Sequence, residues 1–346
     1  MMDDPVPRSR IADVAAAAGV STATVDRVLN GRSNVRPATA QRVLKAAAAL
    51  HYLPEADLWR SLQPPPMELA FLLPAGTNRY LRMLGDGISN ASDWLAPFNV
   101  RCRAHFIDSF DAAHVAAALL RHGGRAQGVA FMALEHPLVR EAVDTLAERG
   151  VHVITLISDL SHSRRVAYVG MDNRAAGRTA GTLIGRFLGG RRGPVAMIAG
   201  SLSYRGHEDR EMGFLHLMQE KFPALKVVGV REGRDDADAN YRLARGLLKQ
   251  HPDLVGLYNI GGGADGVARA IKDARPDPPV VFVAHGLTPD TRALLIDGTL
   301  DAVINQHQHT TVLSCVRIFT NLRDGRSATS GVEPARISIV LRENLP

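Results

Sequence analysis

Cysteine is scarce in this sequence, with Cys102 and Cys315 as its two thiols. Two isolated thiols predict neither a disulfide nor a metal site and are typical of proteins in a reducing cytosol. Long apolar runs are also missing, and without about eighteen consecutive apolar residues no membrane-spanning helix is expected. The N-terminal sequence MMDDPVPRSR carries two acids and no apolar segment, so we expect no secretory signal and a cytoplasmic location.

Basic charge is concentrated near the N-terminus. Residues 8–53 contain seven Lys/Arg against the two acids Asp13 and Asp26, a net charge of +5. Residues 67–346 are nearly balanced, with 33 basic and 29 acidic residues. The basic segment indicates an anionic partner such as nucleic acid, although a solvated basic surface would have the same composition. A chain of 346 residues suits two or three compact units.

Cap and turn residues predict three short helices in the basic segment. Two helices separated by a glycine-containing turn are typical of a helix-turn-helix, although a small protein-interaction module would show the same pattern. The helices are predicted from about Arg10 to Ala18 behind a Ser9 cap, from 22 to 29 behind a Ser21 cap, and from 37 to about 50.

The identities of the residues distinguish between a helix-turn-helix and a protein-interaction module. Residues 11–54, IADVAAAAGVSTATVDRVLNGRSNVRPATAQRVLKAAAALHYLP, resemble the DNA-binding headpiece of the lactose-repressor (LacI/GalR) family. The resemblance implies that Arg27 binds a guanine edge in the major groove, with a phosphate contact as the alternative. Asp26 stands where the family usually has serine, and a carboxylate near phosphates is repelled unless it is paired. The family also implies base contacts from Thr22 and Ala23 and phosphate contacts from Ser21, Thr24 and Asn30.

The next segment, EADLWRSLQPPP at residues 55–66, resembles the hinge helix of the family. The resemblance implies that Leu62 wedges into the minor groove, where an apolar side chain partly unstacks a base step. The sequence has about one extra residue before the Arg-Ser-Leu element and carries Glu55 and Asp57. Trp59 is therefore a second candidate for the wedge, and a plain spacer is the other interpretation.

From Met67 onward, apolar strands alternate with helical stretches, which indicates parallel sheets with helices on both faces. About nine strands are many for one sheet, so we expect two sheets with a cleft, where ligands lie at the carboxyl ends of strands. Helices are predicted, among others, at 112–121, 138–149, 175–188, 239–250 and 265–274. Strands are predicted at 69–73, 100–107, 128–132, 151–157, 195–198, 227–230, 256–258, 280–283 and 302–304.

Segments of this region also resemble the family, namely YVGMDNRAAGRTAG, AGSLSYRGHEDREMGF, LVGLYNIGGGADGVARAI and VINQ. The implied fold class is an all-α helix-turn-helix headpiece followed by an α/β domain like the periplasmic sugar-binding proteins, with two lobes joined by three crossovers. The expected organisation is a headpiece at 1–53, a linker at 54–66, a first lobe at about 67–166 and 307–328, and a second lobe at about 167–306 and 329–346.

The same segments imply an effector site. Asp172, Arg210 and Asn259 match family positions at the cleft, and a carboxylate, a guanidinium and an amide together can satisfy several sugar hydroxyls. Asp172 could instead cap a helix, and Arg210 could form an ion pair within one lobe. Gly286 stands where the family commonly has an acid that binds sugar hydroxyls, which speaks against a simple neutral hexose. The loop residues Arg79, Tyr80 and His285 are further expected in the cleft, where two arginines would suit a uronate. Arg79 and His285 could instead be solvated loop residues.

Other chemistries are less well supported. The glycine run at 261–266 could cradle a phosphate, but it lacks the G-x-G-x-x-G register and a following Lys-Ser/Thr. Asn305, His307 and His309 could suggest a metal site, yet no carboxylate accompanies them. The sequence offers neither a nucleophile–base pair nor a dinucleotide fingerprint, so we expect no enzyme, no cofactor and no metal.

The combined features predict a ligand-responsive, sequence-specific repressor of carbohydrate or sugar-acid genes. We expect a homodimer on a pseudo-palindromic operator, because one headpiece reads too few base pairs to find a genomic site. A sugar or sugar acid in the cleft would control DNA affinity through its differential affinity for two states. The alternative is a solute-binding protein of the periplasmic sugar-receptor type, which would need a signal peptide and no headpiece.

Overall fold

The computed structural model describes residues 9–30, 35–52, 66–108 and 110–346. The chain divides between Pro66 and Met67 into two compact units. The linker candidates Leu62 and Trp59 lie outside the described residues. In the part of the chain that the structure covers, no helix has the length and apolar character needed to cross a membrane.

The N-terminal unit contains three helices, α1 (Ile11–Ala18), α2 (Thr22–Leu29) and α3 (Pro37–Ala49), as predicted. Their apolar faces enclose a small core that includes the fully buried Val14, Val25 and Val43. The turn between the first two helices depends on Gly19, whose φ of 64° lies in the left-handed region that glycine adopts without strain.

One predicted cap is correct and one is wrong. Ser21 caps α2, because its Oγ accepts a hydrogen bond from the Thr24 amide at 3.2 Å. Ser9 does not cap α1: its hydroxyl donates to the Leu50 carbonyl at 2.7 Å and thereby ties the chain to the end of α3. The N-cap residue of α1 is Arg10, whose amide donates to the Asp13 carboxylate at 2.6 Å.

The second unit contains two sheets, one in each lobe. The sheet of the first lobe is fully parallel in the order β2-β1-β3-β4-β5. Its strands are β1 (Met67–Pro74), β2 (Val100–Ile107), β3 (Gly128–Phe131), β4 (His152–Leu156) and β5 (Ala167–Val169). The helices along this part of the chain are α4 (Arg79–Ser89), α5 (Ser92–Leu95), α6 (Ala112–Gly123) and α7 (Pro137–Glu148), with a 3-10 turn at Ala96–Phe98.

The sheet of the second lobe has the order β11-β10-β9-β8-β6-β7 and is parallel except for β11. Its strands are β6 (Gly193–Ala199), β7 (Leu225–Glu232), β8 (Gly256–Asn259), β9 (Val281–His285), β10 (Ala302–Asn305) and β11 (Ser338–Val340). The helices of this lobe are α8 (Asn173–Phe187), α9 (Arg205–Lys221), α10 (Ala237–Gln250), α11 (Ala264–Ala274) and α12 (Pro289–Ile296), with a 3-10 turn at Arg342–Asn344.

The chain crosses between the lobes three times. It leaves the first lobe after β5, returns after β10 to form α13 (Gln308–Arg323), and enters the second lobe again to form β11. Helix α13 packs into the core of the first lobe through residues such as Cys315 and Phe319. All nine predicted strands are present, but β5 and β11 were not predicted.

The second lobe begins a few residues after its predicted start at about residue 167. Strand β5 pairs with β4 through Ile154 and Ala167, so residues 167–169 belong to the sheet of the first lobe. The three-residue strand is too short to produce a hydrophobic pattern, and it is the parallel pairing with β4 that assigns it to this lobe.

Candidate functional site

The surface of α2 carries the residues predicted to contact DNA. Ser21, Thr22, Ala23, Arg27 and Asn30 are exposed, and Thr24 is half-buried. Val25 and Val28 on the opposite face of the helix are buried in the core of the unit. The side-chain amide of Asn30 donates to the Asp26 carboxylate at 2.8 Å. Asp26, which stands where the family usually has serine, therefore has a partner at the end of its own helix. Helix α2 is held in the N-terminal unit by its buried face, and its exposed face presents the predicted residues to solvent.

In the second unit, a cavity lies in the cleft between the lobes and is lined by residues of both. Its apolar wall includes Leu81, Met132 and Ile157 from the first lobe. Its polar lining consists of Asn78, Tyr80, His207, Arg210, Asp235, His285 and Gln306.

Arg210 is the cation of this cavity. It extends from α9, and only 6% of the residue is exposed. Its Nε donates to Asn173 Oδ1 at 2.7 Å and its Nη1 donates to the Ile260 carbonyl at 2.8 Å. Both acceptors are neutral, and among the described residues no carboxylate forms an ion pair with Arg210, so the ion pair considered for it is not present.

His285 ends β9 and faces the cavity with 9% exposure. Its Nε2 lies 2.7 Å from the hydroxyl of the buried Tyr258, whereas its Nδ1 is buried without a hydrogen-bond partner. Burial lowers the pKa of His285 well below 6.5, and the positive charge of Arg210 lowers it further. The imidazole is therefore neutral near pH 7.

Asp235 provides the carboxylate of the cavity. One oxygen accepts from the Gly262 amide at 2.7 Å, and the other accepts from Asn78 Nδ2 at 2.9 Å. Because Asn78 lies in the first lobe, this second bond spans the cleft. The backbone of Asp235 has a φ of 58°, a strained value for a residue with a side chain, and such strain often accompanies functional positions.

Tyr80 lies where the family's hydroxyl-binding acid would project. A Cβ added to Gly286 would meet the Tyr80 ring at 3.2 Å, so the ring packs against the Gly286 backbone. The Tyr80 hydroxyl donates to the Gln306 carbonyl at 2.9 Å. The side chain of Gln306 in turn accepts from the Met171 amide and donates to Thr311, which joins the cavity wall to two crossovers.

Of the predicted effector residues, the structure brings Tyr80, Arg210 and His285 together. Arg79 lies in an adjoining, more polar chamber, with its side chain 56% exposed and 3.9 Å from Asp290. Asn259 is buried beneath the cavity and donates to the carbonyls of Gly261 and Gly262. Asp172 is exposed outside the cavity lining and caps α8 by accepting from the Ala175 amide at 2.9 Å.

The glycine run and Asn305, considered above for a phosphate site and a metal site, form hydrogen bonds within the protein. One amide of the glycine turn at 261–263 donates to Asp235, so this turn already binds a carboxylate of the protein. The Asn305 side chain accepts from the Leu287 amide at 3.0 Å. Within the described ranges, no group of three or more His, Cys, Asp or Glu side chains is arranged to hold a metal ion.

The sequence interpretation missed five polar residues of the site. Gln306 ends the recognised segment VINQ, although no role was predicted for it. His207 precedes Arg210 by one helical turn, a spacing that could have placed it on the same face. Asn173 follows Asp172 directly in the family element and is the residue that contacts Arg210. Asn78 and Asp235 are 157 positions apart and meet through folding alone.

Comparison with known proteins covers both units. Residues 10–55 match the model described as "Bacterial regulatory proteins, lacI family". Residues 69–327 match the model described as "Periplasmic binding protein domain". Catabolite control protein A of Priestia megaterium is 24% identical over 249 residues, 72% of each chain. The HTH-type transcriptional repressor PurR of Erwinia tasmaniensis is 28% identical over 251 residues, 71% of this chain and 70% of that protein.

Solved structures share the fold of the larger unit. GanP, a glucose-galactose binding protein from Geobacillus stearothermophilus, superimposes with a TM-score of 0.72 at 22% identity. The match covers 82% of this chain and all of that chain. At this identity the likeness establishes the two-lobed architecture and leaves the ligand to be argued from the cavity.

Proposed function

The chain belongs to the lacI family of bacterial regulatory proteins and is a ligand-responsive transcription repressor, and on that premise we propose that its effector is a small polyhydroxylated molecule of the sugar or sugar-acid class. The observation that carries this proposal is the convergence of Tyr80, Arg210 and His285 on one cavity in the cleft. The remaining wall is largely apolar, which suits the carbon face of a sugar-like ligand.

The cavity is built from both lobes, so a ligand there contacts both. Tyr80 and Asn78 come from the first lobe, whereas Arg210 and His285 come from the second. A ligand that contacts both lobes has a different affinity for open and closed arrangements, and this difference is the free energy that it can transmit. We infer that effector binding changes operator affinity by shifting the arrangement of the lobes.

The proposed DNA contacts follow the exposed face of α2. Arg27 would bind a guanine, Thr22 and Ala23 would contact base edges, and Ser21, Thr24 and Asn30 would contact phosphates. Leu62 is proposed as the minor-groove wedge on the basis of the family resemblance. We further propose a homodimer that acts in the cytoplasm on a pseudo-palindromic operator, without catalytic activity.

The test measures operator binding by the full chain with and without effector. Candidate effectors are first found by screening sugars and sugar acids for a rise in Tm, because a ligand of the native state stabilises it. Operator affinity should fall steeply with salt, since Lys/Arg contacts release counterions. Arg210→Ala should abolish the response to the effector while it retains operator binding.

Two results would reject the proposal. An absence of specific DNA binding under all conditions would favour the solute-receptor alternative. A lower Tm for Arg210→Ala with unchanged effector affinity would make Arg210 a purely structural residue. A matched control is Lys249→Ala, an exposed cation on α10 outside the cavity lining, which should leave effector affinity and response unchanged.

A further inference from the structure

We propose that the effector is a carboxylate, a hydroxy acid of the sugar-acid class, and that its carboxylate is bound jointly by Arg210 and His285. This inference rests on the proposed function, because it names the chemistry of the ligand in the same cavity. Three observations lead to it: a buried guanidinium that no carboxylate of the described residues contacts directly, a buried donor without an acceptor, and side-chain acceptors that each already accept a hydrogen bond.

The first observation is the charge of Arg210. A buried guanidinium is normally paired with a carboxylate, because removal of a charge from water is costly. Here its described partners are the neutral oxygens of Asn173 and Ile260, and its Nη2 has no partner among the described residues. Two hydrogen bonds thus orient the Arg210 guanidinium, and part of this group faces the cavity. An anionic ligand would complete the pair with a charge-assisted hydrogen bond.

The second observation is the tautomer of His285. The Tyr258 hydroxyl is fully buried and has His285 Nε2 as its partner. Burial raises the pKa of Tyr258, so the phenol keeps its proton. Because Nε2 is its hydrogen-bond partner, donation by the phenol leaves fewer groups unsatisfied than donation by Nε2, and we assign Nε2 as the acceptor. A neutral imidazole that accepts at Nε2 carries its own proton on Nδ1. The unpartnered Nδ1 is therefore an N–H donor, and its natural complement is an acceptor on the ligand.

The third observation concerns acceptors. A sugar hydroxyl both donates and accepts, so a neutral sugar needs acceptors on the protein as well as donors. Both oxygens of Asp235 already accept hydrogen bonds, and the Asn78 and Gln306 side-chain oxygens accept from backbone amides. Gly286 adds no side-chain acceptor, and Tyr80 occupies the space beside it. These carboxylate and amide oxygens therefore each accept one hydrogen bond already, whereas His285 Nδ1 and Arg210 Nη2 have no partner among the described residues. The unpartnered groups of the cavity are donors, and they favour a ligand group that only accepts, such as a carboxylate.

The experiment compares ligands that differ only in this group. Binding of D-glucuronate, D-glucuronamide and D-glucose to the full-length protein is measured by titration calorimetry, as is the same triple in the galacto series, together with D-gluconate and D-galactonate. We expect at least one acid to bind, and to bind about 10- to 100-fold more tightly than its neutral counterpart, because hydrogen bonds to charged groups are worth about 1.5–3 kcal/mol.

Two variants test the donor. His285→Leu removes the N–H and should weaken binding of the acid about 10- to 100-fold. His285→Asn places an amide N–H near the position of Nδ1 and should recover most of that loss. The Tm of each variant in the absence of ligand reports folding, so that a misfolded His285→Leu protein is recognised and the Asn variant keeps the test decisive.

The outcomes separate this inference from the proposed function. If neutral sugars or the amides bind as tightly as the acids, or if His285→Leu binds the acid normally, the carboxylate assignment is wrong and the carbohydrate effector stands. If neither acids nor neutral sugars bind, both the proposed effector class and this inference are rejected. Strong discrimination for the acid that is lost in His285→Leu and restored in His285→Asn would establish the pairing.

Discussion

The contact between helices α8 and α9 depends on a glycine, and its substitution gives a sharp test of how the cavity is positioned. Gly177 on α8 lies against the backbone of Arg210 on α9, and Gly213 on α9 lies against the backbone of Arg174 on α8. A Cβ added to Gly177 would overlap the Arg210 carbonyl oxygen and lie 2.7 Å from its carbonyl carbon. A backbone group cannot rotate away, so Gly177→Ala must push the two helices apart.

The expected magnitude follows from that geometry. Relief of the overlap requires the helices to separate by roughly 1 Å, and overpacking of this kind costs about 1–3 kcal/mol. Alanine returns up to about 1 kcal/mol through its higher helix propensity. Because both surfaces are backbone, we take the upper end of the range, about 3 kcal/mol, and after the alanine gain expect the free energy of unfolding to fall by about 2 kcal/mol. The bond from Arg210 to Asn173 should lengthen, so effector affinity should fall about tenfold, or 1.4 kcal/mol.

Urea denaturation and effector titration measure the two effects. Gly246→Ala is the matched control, since Gly246 lies within α10 and a Cβ there meets no atom within 4 Å. It should stabilise the protein by about 0.5–1 kcal/mol and leave effector affinity unchanged. If Gly177→Ala is as stable as Gly246→Ala and binds effector normally, the close crossing of α8 and α9 does not position Arg210, and the reasoning fails.

Three further predictions concern the headpiece, the linker and pH. Arg27→Ala should weaken specific operator binding by about 1–3 kcal/mol and flatten base preference at one position per half-site; an equal loss on all sequences, measured by competition with operator variants, would assign Arg27 to phosphate. Leu62→Ala should weaken operator binding in a mobility-shift assay and leave effector binding intact; a silent Leu62→Ala beside a severe Trp59→Ala would move the wedge to Trp59. Burial lowers the pKa values of His207 and His285 below 6.5 in a cluster that also contains Arg210 and Asp235. The unfolded chain therefore binds more protons below about pH 6.5, and the free energy of unfolding should decrease as the pH falls from about 7 to 5; a flat profile, or one that His285→Asn leaves unchanged, would contradict this account.

The sequence predicted the elements of the fold well because their signals are local. Ser21, Gly19 and the valines of the core determine the ends and faces of the first helices within a few residues of one another. Strand β2 was predicted with the bounds that it has, since its apolar residues alternate with Arg101, Arg103 and His105 at the period of a strand. The Ser9 cap failed because a tertiary contact with Leu50 competes for the same hydroxyl, and no local pattern reports such a contact.

The site was predictable in part from the family elements. Arg210 lies in a recognised segment, whereas Tyr80 and His285 were predicted as loop residues outside those segments, and all three line the cavity. Asp172 lies in such a segment as well, but its carboxylate is used to cap α8, and its neighbour Asn173 faces inward. Successive side chains at a helix start differ in direction by about 100°. A segment recognised from sequence therefore locates the region of the cavity but does not show which of its side chains faces the cavity.

Because the cavity is divided between two lobes, the residues that determine ligand affinity can differ from those that determine the change in operator affinity. Arg210 and His285 lie in the second lobe, so a ligand held by these two residues gains the same free energy whether the lobes are open or closed. Asn78 and Tyr80 reach the same cavity from the first lobe, and Asn78 already bonds to Asp235 across the cleft. An effector changes operator affinity only through interactions that differ between the two arrangements. On the proposed assignment, a compound could bind tightly to the second lobe and still fail to switch the repressor. We expect contacts to Asn78 and Tyr80 to distinguish the ligands that act as effectors.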